Sequence, residues 1–340
     1  MEKKVTLKEL AKILKVSVAT VSKALNDSYD ISEETKVRVK KKAKELNYVP
    51  NIIAQSLKLK KSFSLGVIIP NITDEFFARA VHGISKEAKE NRYKTLISIS
   101  NEELQSEIES VDIFLNSNVD GLLISLASET QTKNQYEHIK KIQDHGIPIV
   151  LFDRVTDAID CDKITIDDFK SAYDATYFLL RKGCKNVIFL STISRTSVCE
   201  LRKKGYEQAL KDSKIKVGAT RFLEVTHENL EFELKSFLEI EEVDGILGAD
   251  EHSAVASLHL VQNLGYKVPD QISVIGFTNG SLTKFTVPSL TAISQHSELM
   301  GKSAVQTLLS RIQKGYLDQE TQHKIVQTDL IQRKSTPSKS

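Results

Sequence analysis

The sequence predicts a small all-α helix-turn-helix headpiece followed by a larger α/β core folded as two similar, doubly wound lobes. Three observations predict it. Charge is unevenly distributed: residues 1–61 hold 15 Lys and Arg against 7 Asp and Glu, and the remainder holds 32 against 38, within a net charge of +2. Capped amphipathic helices fill the first fifty residues. From Phe63 onward, short apolar runs alternate with amphipathic stretches, and one run is echoed later in the chain.

The first helix is signalled by Thr6-Leu7-Lys8-Glu9, a capping box. Leu7, Leu10, Ala11 and Leu14 then share one face. Lys15-Val16 closes that helix, and Ser17 is a good N-cap for a second, whose buried stripe is Val21, Ala24 and Leu25. Asn26-Asp27-Ser28 breaks it. Ser32 caps a third helix, with Glu33 and Glu34 at the positive end of its dipole and Val39, Ala43 and Leu46 facing inward. Two short helices joined by a tight turn and braced by a third make a helix-turn-helix, although periodicity alone also allows a generic three-helix bundle. In a helix-turn-helix the second helix enters the major groove. Val18, Ala19, Thr20, Ser22 and Lys23 are then the groove-facing candidates. Lys23 can donate to guanine O6 or N7, Thr20 and Ser22 suit phosphate, and Val18 and Ala19 offer apolar contact.

Bulk properties exclude several classes. The 340-residue chain suits one small and one large domain. No run of 18 apolar residues occurs, so no membrane partner is expected, and the N-terminus MEKKVTLKEL has no apolar signal region, so the expected location is cytoplasmic. Cys161, Cys184 and Cys199 lack metal-ligand spacing. The eight histidines are scattered, and no glycine-rich phosphate loop or nucleophile elbow appears. No catalytic residue, metal or cofactor is expected. A basic front end suits a polyanion, and an acidic body resists indiscriminate phosphate binding.

The order of residues is more specific than the pattern. VTLKELAKILKVSVATVSKALN, from Val5 to Asn26, closely resembles the headpiece signature of the LacI/GalR family, and ISEETKVRVKKKAKELNYVPNIIAQSLK resembles its third helix and hinge. The resemblance implies a headpiece at 1–49 and a hinge at 50–61. In the family the hinge helix orders on operator DNA, with a leucine wedged into the minor groove; Leu57 stands at that position, and Ala54 permits close approach. Asn51 can cap the hinge helix, and Gln55 stands where an arginine is common. With Thr6, Ser17, Asn26 and Lys58, these residues complete the expected DNA-contacting set.

In the body, SLGVIIP, YKTLISIS, GLLISL, IPIVLFD, NVIFLS, DGILGA and ISVIGF read as buried parallel strands. Val119-Asp120-Gly121-Leu122-Leu123-Ile124 reappears as Val243-Asp244-Gly245-Ile246-Leu247-Gly248, which points to two lobes of similar topology. The resemblance implies a type I periplasmic-binding-protein-like core at 62–333. Its lobes are expected at about 62–161 with 291–322 and about 162–290 with 323–333, joined by crossovers near 161, 290 and 322. Residues 334–340 read as a polar tail.

Ligands of such sheets bind beyond the carboxyl ends of the strands, here between the lobes. Following strand ends gives Asn71 to Phe77, with Phe76 and Phe77 able to stack on a ring, then Asp153-Arg154, Asp250 and Thr278-Asn279. The resemblance adds Arg202, where family members commonly clamp an effector. Two positions depart from the family: Ala249-Asp250 replaces the usual Asn-Asp, and Thr278 replaces an aspartate of many sugar-binding members, which puts an unmodified hexose in doubt. The expectation is a transcription regulator, by family default a repressor, controlled by a small-molecule effector. It is expected as a homodimer on an inverted-repeat operator, because QRKSTPSKS contains no leucine heptads for a tetramer helix. Control by a protein co-regulator and a solute-binding role are the alternatives.

Overall fold

The computed structural model describes residues 5–48, 61–213, 222–314 and 320–338. The chain divides into two units, Met1–Ser62 and Phe63–Ser340. The hinge positions Asn51, Ala54, Gln55, Leu57 and Lys58 lie outside the described residues.

The first unit is three helices, α1 (Leu7–Leu14), α2 (Val18–Leu25) and α3 (Glu33–Glu45). The capping box forms: the Glu9 N–H donates to Thr6 Oγ1 at 3.2 Å, and the Thr6 N–H donates to Glu9 Oε2 at 2.8 Å. Lys15 ends α1 in the left-handed conformation at φ 54°. Ser17 and Ser32 cap α2 and α3. Leu10, Ala11, Val21, Ala24, Val39 and Ala43 form the core, with Leu7, Leu14, Leu25 and Leu46 packed against it. Each fully buried Leu or Val stabilises by roughly 1.5–3 kcal/mol, so a small core suffices only because the caps satisfy the helix ends as well.

The second unit carries two six-stranded sheets. The N-lobe sheet runs β2 (Lys94–Ile99), β1 (Ser64–Ile69), β3 (Gly121–Ile124), β4 (Ile149–Phe152), β5 (Asp162–Ile166) and β11 (His323–Val326), all parallel. The C-lobe sheet runs β7 (Phe222–Glu224), β6 (Val187–Ser191), β8 (Gly245–Gly248), β9 (Ser273–Gly276), β10 (Thr291–Ser294) and β12 (Asp329–Ile331), and only its β10–β12 pair is antiparallel. The repeated Val-Asp-Gly motifs lead into β3 and β8, which occupy equivalent places in the two sheets. The intervening helices are α4 (Glu75–Glu90), α5 (Leu104–Asn116), α6 (Ser128–Lys133), α7 (Glu137–Asp144), α8 (Asp168–Arg181), α9 (Ser197–Asp212), α10 (Leu230–Ile240), α11 (Glu251–Asn263), α12 (Leu282–Phe285) and α13 (Ser297–Lys314). Strands β3, β4, β8 and β9 are buried at every residue, as helices on both faces require.

The crossovers and the carboxyl terminus differ from the sequence expectation. The chain changes lobe after β5, β10 and β11, which end about four or five residues beyond the expected crossovers near 161, 290 and 322. These strands read DKITI, TAIS and HKIV, too mixed to register as buried runs. The bidentate pair from Arg311 to Asp162, at 2.7 Å for both Nε and Nη2, ties α13 to the start of β5. The second correction concerns the polar tail. Ser335 and Thr336 are fully buried: Ser335 Oγ donates to Val274 O at 2.6 Å, and the Val274 N–H donates to Ser335 O at 2.9 Å. Polar side chains enter the core here because the Ser335 hydroxyl satisfies backbone groups at the starts of β9 and β10, donating to Val274 O and accepting the Thr291 N–H at 2.8 Å.

Glycines set the helix packing around the cleft. A Cβ on Gly301 would lie 2.1 Å from Ala80 O, and one on Gly83 would lie 2.1 Å from Glu298 O, so α4 and α13 cross backbone to backbone.

Candidate functional site

Two regions carry the expected functional residues. On the headpiece, Ser17, Val18, Ala19, Lys23 and Asn26 are exposed, and Thr20 and Ser22 are half-buried. The side chains of Ser17, Thr20, Lys23 and Asn26 each have an internal partner to exchange or share. Ser17 Oγ accepts the Thr20 N–H at 2.9 Å and shares a 2.8 Å hydrogen bond with Thr20 Oγ1. If Thr20 donates, the Ser17 hydroxyl proton stays free for a phosphate oxygen. Lys23 Nζ bonds Asp30 at 2.6 Å, and that lysine holds the Asp30 carboxyl below its ordinary range. Asn26 Nδ2 donates to Ser22 O at 3.0 Å. Thr6 fits the contact set least: its N–H and its hydroxyl both donate to Glu9 Oε2, at 2.8 and 3.0 Å, so it has no donor left for phosphate.

In the second unit a cleft of about 410 Å³ lies beyond the carboxyl ends of the strands, between the lobes. Phe76, Phe77, Asp153, Arg154, Arg202, Asp250, Thr278 and Asn279 all line it. Asn71, the start of the expected segment, does not; its Oδ1 accepts from Thr73 instead.

The N-lobe wall comes from the ends of β1 and β4. Asp74 caps α4 through the Phe76 N–H at 2.8 Å, and burial pushes its carboxyl up. Phe77 is buried in the core, with the Arg154 guanidinium 5.5 Å above its ring, so Phe76, packed edge-on against it, is the partly accessible aromatic. Arg154 Nη1 donates to Glu102 at 2.6 Å; its Nε is buried without a partner among the described residues. Asp153 sits at φ 59°, a conformation that Asp tolerates better than most residues. Its carboxylate accepts no hydrogen bond from a described residue, and burial pushes it up to about 7 against the pull of Arg154 and Arg202.

The C-lobe wall is more completely bonded. Arg202 donates from Nε to Asp168 at 2.7 Å, from Nη1 to Ala249 O at 2.5 Å and from Nη2 to Gln295 at 2.8 Å, while covering the Phe277 ring at 4.0 Å. Three of its five donors are engaged, leaving two. Asp250 caps α11 through Ser253 N at 2.8 Å and binds Thr192 through both oxygens. Thr278 Oγ1 accepts the Gly280 N–H at 3.2 Å. The cleft rim is bridged on both sides. Glu75 of α4 accepts the Ser281 N–H at 2.9 Å, and Gln131 of α6 exchanges hydrogen bonds with Ser197 of α9 at 2.9 and 3.1 Å.

Sequence reasoning missed Asp74 as a named residue, and also Glu251, Ile193, Phe277 and Gln295. Glu251 was reachable as the neighbour of Asp250. Gln295 was not, because β10 before it was not recognised as a strand.

A family profile described as "Bacterial regulatory proteins, lacI family" matches residues 6–51, and one described as "Periplasmic binding protein-like domain" matches residues 176–336. The chain is 28% identical to the HTH-type transcriptional regulator RegA of Clostridium saccharobutylicum over 97% of this chain and 99% of that one. It is 29% identical to catabolite control protein A of Priestia megaterium, covering 92% and 94%. It is 29% identical to the HTH-type transcriptional repressor CytR of Escherichia coli K12, covering 97% and 96%. In fold it matches a lac repressor dimer solved on operator with an anti-inducer, at TM-score 0.86 and 23% identity over 99% of this chain and 100% of that one. It also matches the regulator CelR in complex with cellobiose, at TM-score 0.71 and 21% identity over 98% and 100%. No described helix is long and apolar enough to cross a membrane.

Proposed function

The chain belongs to the LacI family of bacterial regulatory proteins, and from that premise we propose that it is a sequence-specific DNA-binding transcription regulator, by family default a repressor, governed by a small effector held between its lobes. The observation that carries the reading is the union of the two parts in one chain: a capped helix-turn-helix within residues 6–51 and a two-lobed core with a cleft of about 410 Å³. The relatives matched along nearly the whole chain are transcriptional regulators, which supports a non-enzymatic, cytoplasmic role.

Each headpiece of a homodimer reads one half-site of an inverted repeat, as two-fold symmetry requires. The lac repressor dimer seated on its operator is the geometric precedent. Val18, Ala19 and Lys23 face base edges, and Ser17, Thr20, Ser22 and Asn26 meet the backbone. Asn51, Ala54, Leu57 and Lys58 serve the hinge, with Leu57 as the wedge. Effector in the cleft changes the lobe angle and so biases the hinges; differential affinity for the two states is the only thermodynamic requirement. The unpartnered Nε of Arg154 and the unbonded Asp153 carboxylate favour a small molecule over a protein co-regulator.

The test is selection of genomic fragments by purified full-length protein, with and without a metabolite extract. Recovery of one inverted-repeat family, with a yield that changes on adding extract, is the expected result. Recovery of fragments without a shared repeat would remove the reading.

A further inference from the structure

We propose that Glu75 and Gln131 are paired latches that hold the two lobes together at the rim of the cleft, and that Gly280 is the seat on which the Glu75 carboxylate docks. The carrying observation is that each side chain is anchored in the N-lobe and reaches across to a backbone N–H of the C-lobe. Glu75, on α4, accepts from Arg79 Nε at 2.8 Å within its own helix. Its two oxygens also accept the Ser281 N–H, each at 2.9 Å, and Oε2 accepts the Ser281 hydroxyl at 3.2 Å. Gln131, on α6, donates to Val155 O in its own lobe at 3.0 Å and to Ser197 Oγ at 2.9 Å, while its Oε1 accepts the Ser197 N–H at 3.1 Å.

Both latches act where helices begin. Ser197 opens α9 and Ser281 lies at the turn into α12, so neither N–H has an acceptor in the helix that follows. The opposite lobe supplies that acceptor, and water can supply it instead when the lobes part. Each latch is therefore worth the net value of two or three exchangeable hydrogen bonds, enough to bias the lobe angle without locking it. Burial pushes the Glu75 carboxyl up, but the Ser281 N–H and Arg79 outweigh it and hold the group below its ordinary range, so this latch is charge-assisted at neutral pH. Gly280 makes it possible. A Cβ there would fall 2.4 Å from Glu75 Oε2 and 2.8 Å from Glu251 Oε1. Both atoms are the outer ends of side chains, so an alanine would be accommodated by displacing them: the fold would stay and the latch would go.

The two latches stand on separate elements yet close with one movement. Helices α4 and α6 belong to the N-lobe, and α9 and α12 to the C-lobe. Breaking either latch frees the lobes to part and so raises the fraction of time the other is open. Two local pairs of hydrogen bonds, each serving only its own loop, would not communicate in this way. The consequence for regulation rests on the reading of the cleft as the effector site. A ligand that prefers parted lobes must break both latches, and one that prefers closed lobes is assisted by both.

The experiment is backbone amide hydrogen exchange of full-length protein at pH 7.5, without added ligand, resolved at Ser197 and Ser281. Glu75→Ala should speed exchange at Ser197 about tenfold, and Gln131→Ala should do the same at Ser281, with exchange in the buried strand β8 unchanged. Gly280→Ala should match Glu75→Ala at Ser197, because it displaces the carboxylate while leaving it in the chain, and it serves the same test should Glu75→Ala fail to fold. Exchange that rises only at the amide whose own acceptor was removed overturns the proposal and leaves the effector reading standing. A rise of equal size in β8 marks a general loss of stability and overturns it as well. Faster exchange at the distant amide, in a protein whose DNA binding no metabolite extract alters, upholds the latches and removes the effector reading.

Discussion

Arg202 and Asp168 form an ion pair of 2.7 Å in which both side chains are almost wholly withdrawn from solvent. Burial pushes the Asp168 carboxyl up even beside the guanidinium, so the pair holds only while Arg202 stays in place. Arg202→Ala should destabilise the core by about 3–5 kcal/mol, because it strands a buried carboxylate. Arg202→Lys should recover only part of this, since one ammonium cannot reach Asp168, Ala249 O and Gln295 together. Urea denaturation of the variants checks both. A loss of effector binding at Arg202 must therefore be read beside the stability of the same variant.

Gly301→Ala sets two effects against each other. Alanine favours an exposed helix by about 1 kcal/mol over glycine. At Gly301 its Cβ would meet Ala80 O at 2.1 Å, and overpacking of this kind costs about 1–3 kcal/mol. The clash wins, and thermal denaturation should show a lowered Tm. Gly146, at φ 70° with open space around it, should tolerate Asn far better than Ala.

The raised Asp153 carboxyl makes stability depend on pH with a definite sign. Below about pH 4 it is protonated in both folded and unfolded chains. Between there and about 7 only the folded chain keeps the proton, so stability falls as pH rises across that window and the loss is complete above it. Asp153→Asn removes this dependence while keeping a residue tolerant of φ 59°. The Tm difference between variant and parent should be near zero at pH 4 and reach about 5 °C or more in favour of the variant at pH 8.

The carboxyl terminus should behave as core rather than tail. Deleting residues 335–340 removes the hydrogen bonds of Ser335 to Val274 and of Thr336 to Thr291. Each buried group left unsatisfied costs about 1–3 kcal/mol. Deleting residues 339–340 alone should leave the Tm unchanged. Paired melts of the two truncations separate the outcomes.

On the headpiece, Lys23→Ala should weaken binding to a selected site about tenfold or more and nonspecific binding much less. Fluorescence anisotropy on a selected and a scrambled duplex checks this. Equal losses would make Lys23 a phosphate contact.

Much of this was legible in the sequence, for physical reasons. Thr6-to-Glu9 and Ser17 are local caps whose geometry depends on a few neighbouring residues, and the apolar stripes of α1 to α3 become the observed core. Strands buried on both faces, such as GLLI and IVLF, announce themselves by composition. What stayed hidden depends on distant partners. Strand β11 is an exposed edge, and β5 and β10 bury Thr and Ser among their apolar residues, so the crossovers and Gln295 were misplaced or missed. Ser335 and Thr336 look like tail residues until Val274 and Thr291 are beside them. That Arg202, Asp250 and Phe77 are so fully engaged within the protein likewise follows from packing, which spacing does not reveal.

The central claim is control of sequence-specific DNA binding by a ligand of the cleft. The most direct measurement is titration of full-length protein onto its selected duplex and a scrambled duplex at fixed salt, repeated with the metabolite extract that changes fragment recovery as the probe. The account predicts a preference for the selected duplex of about 1,000-fold or more, and a shift of about 5–150-fold in that affinity when the probe is added. Equal affinity for the two duplexes, or a selected-site affinity that the bound probe leaves unchanged, would contradict it.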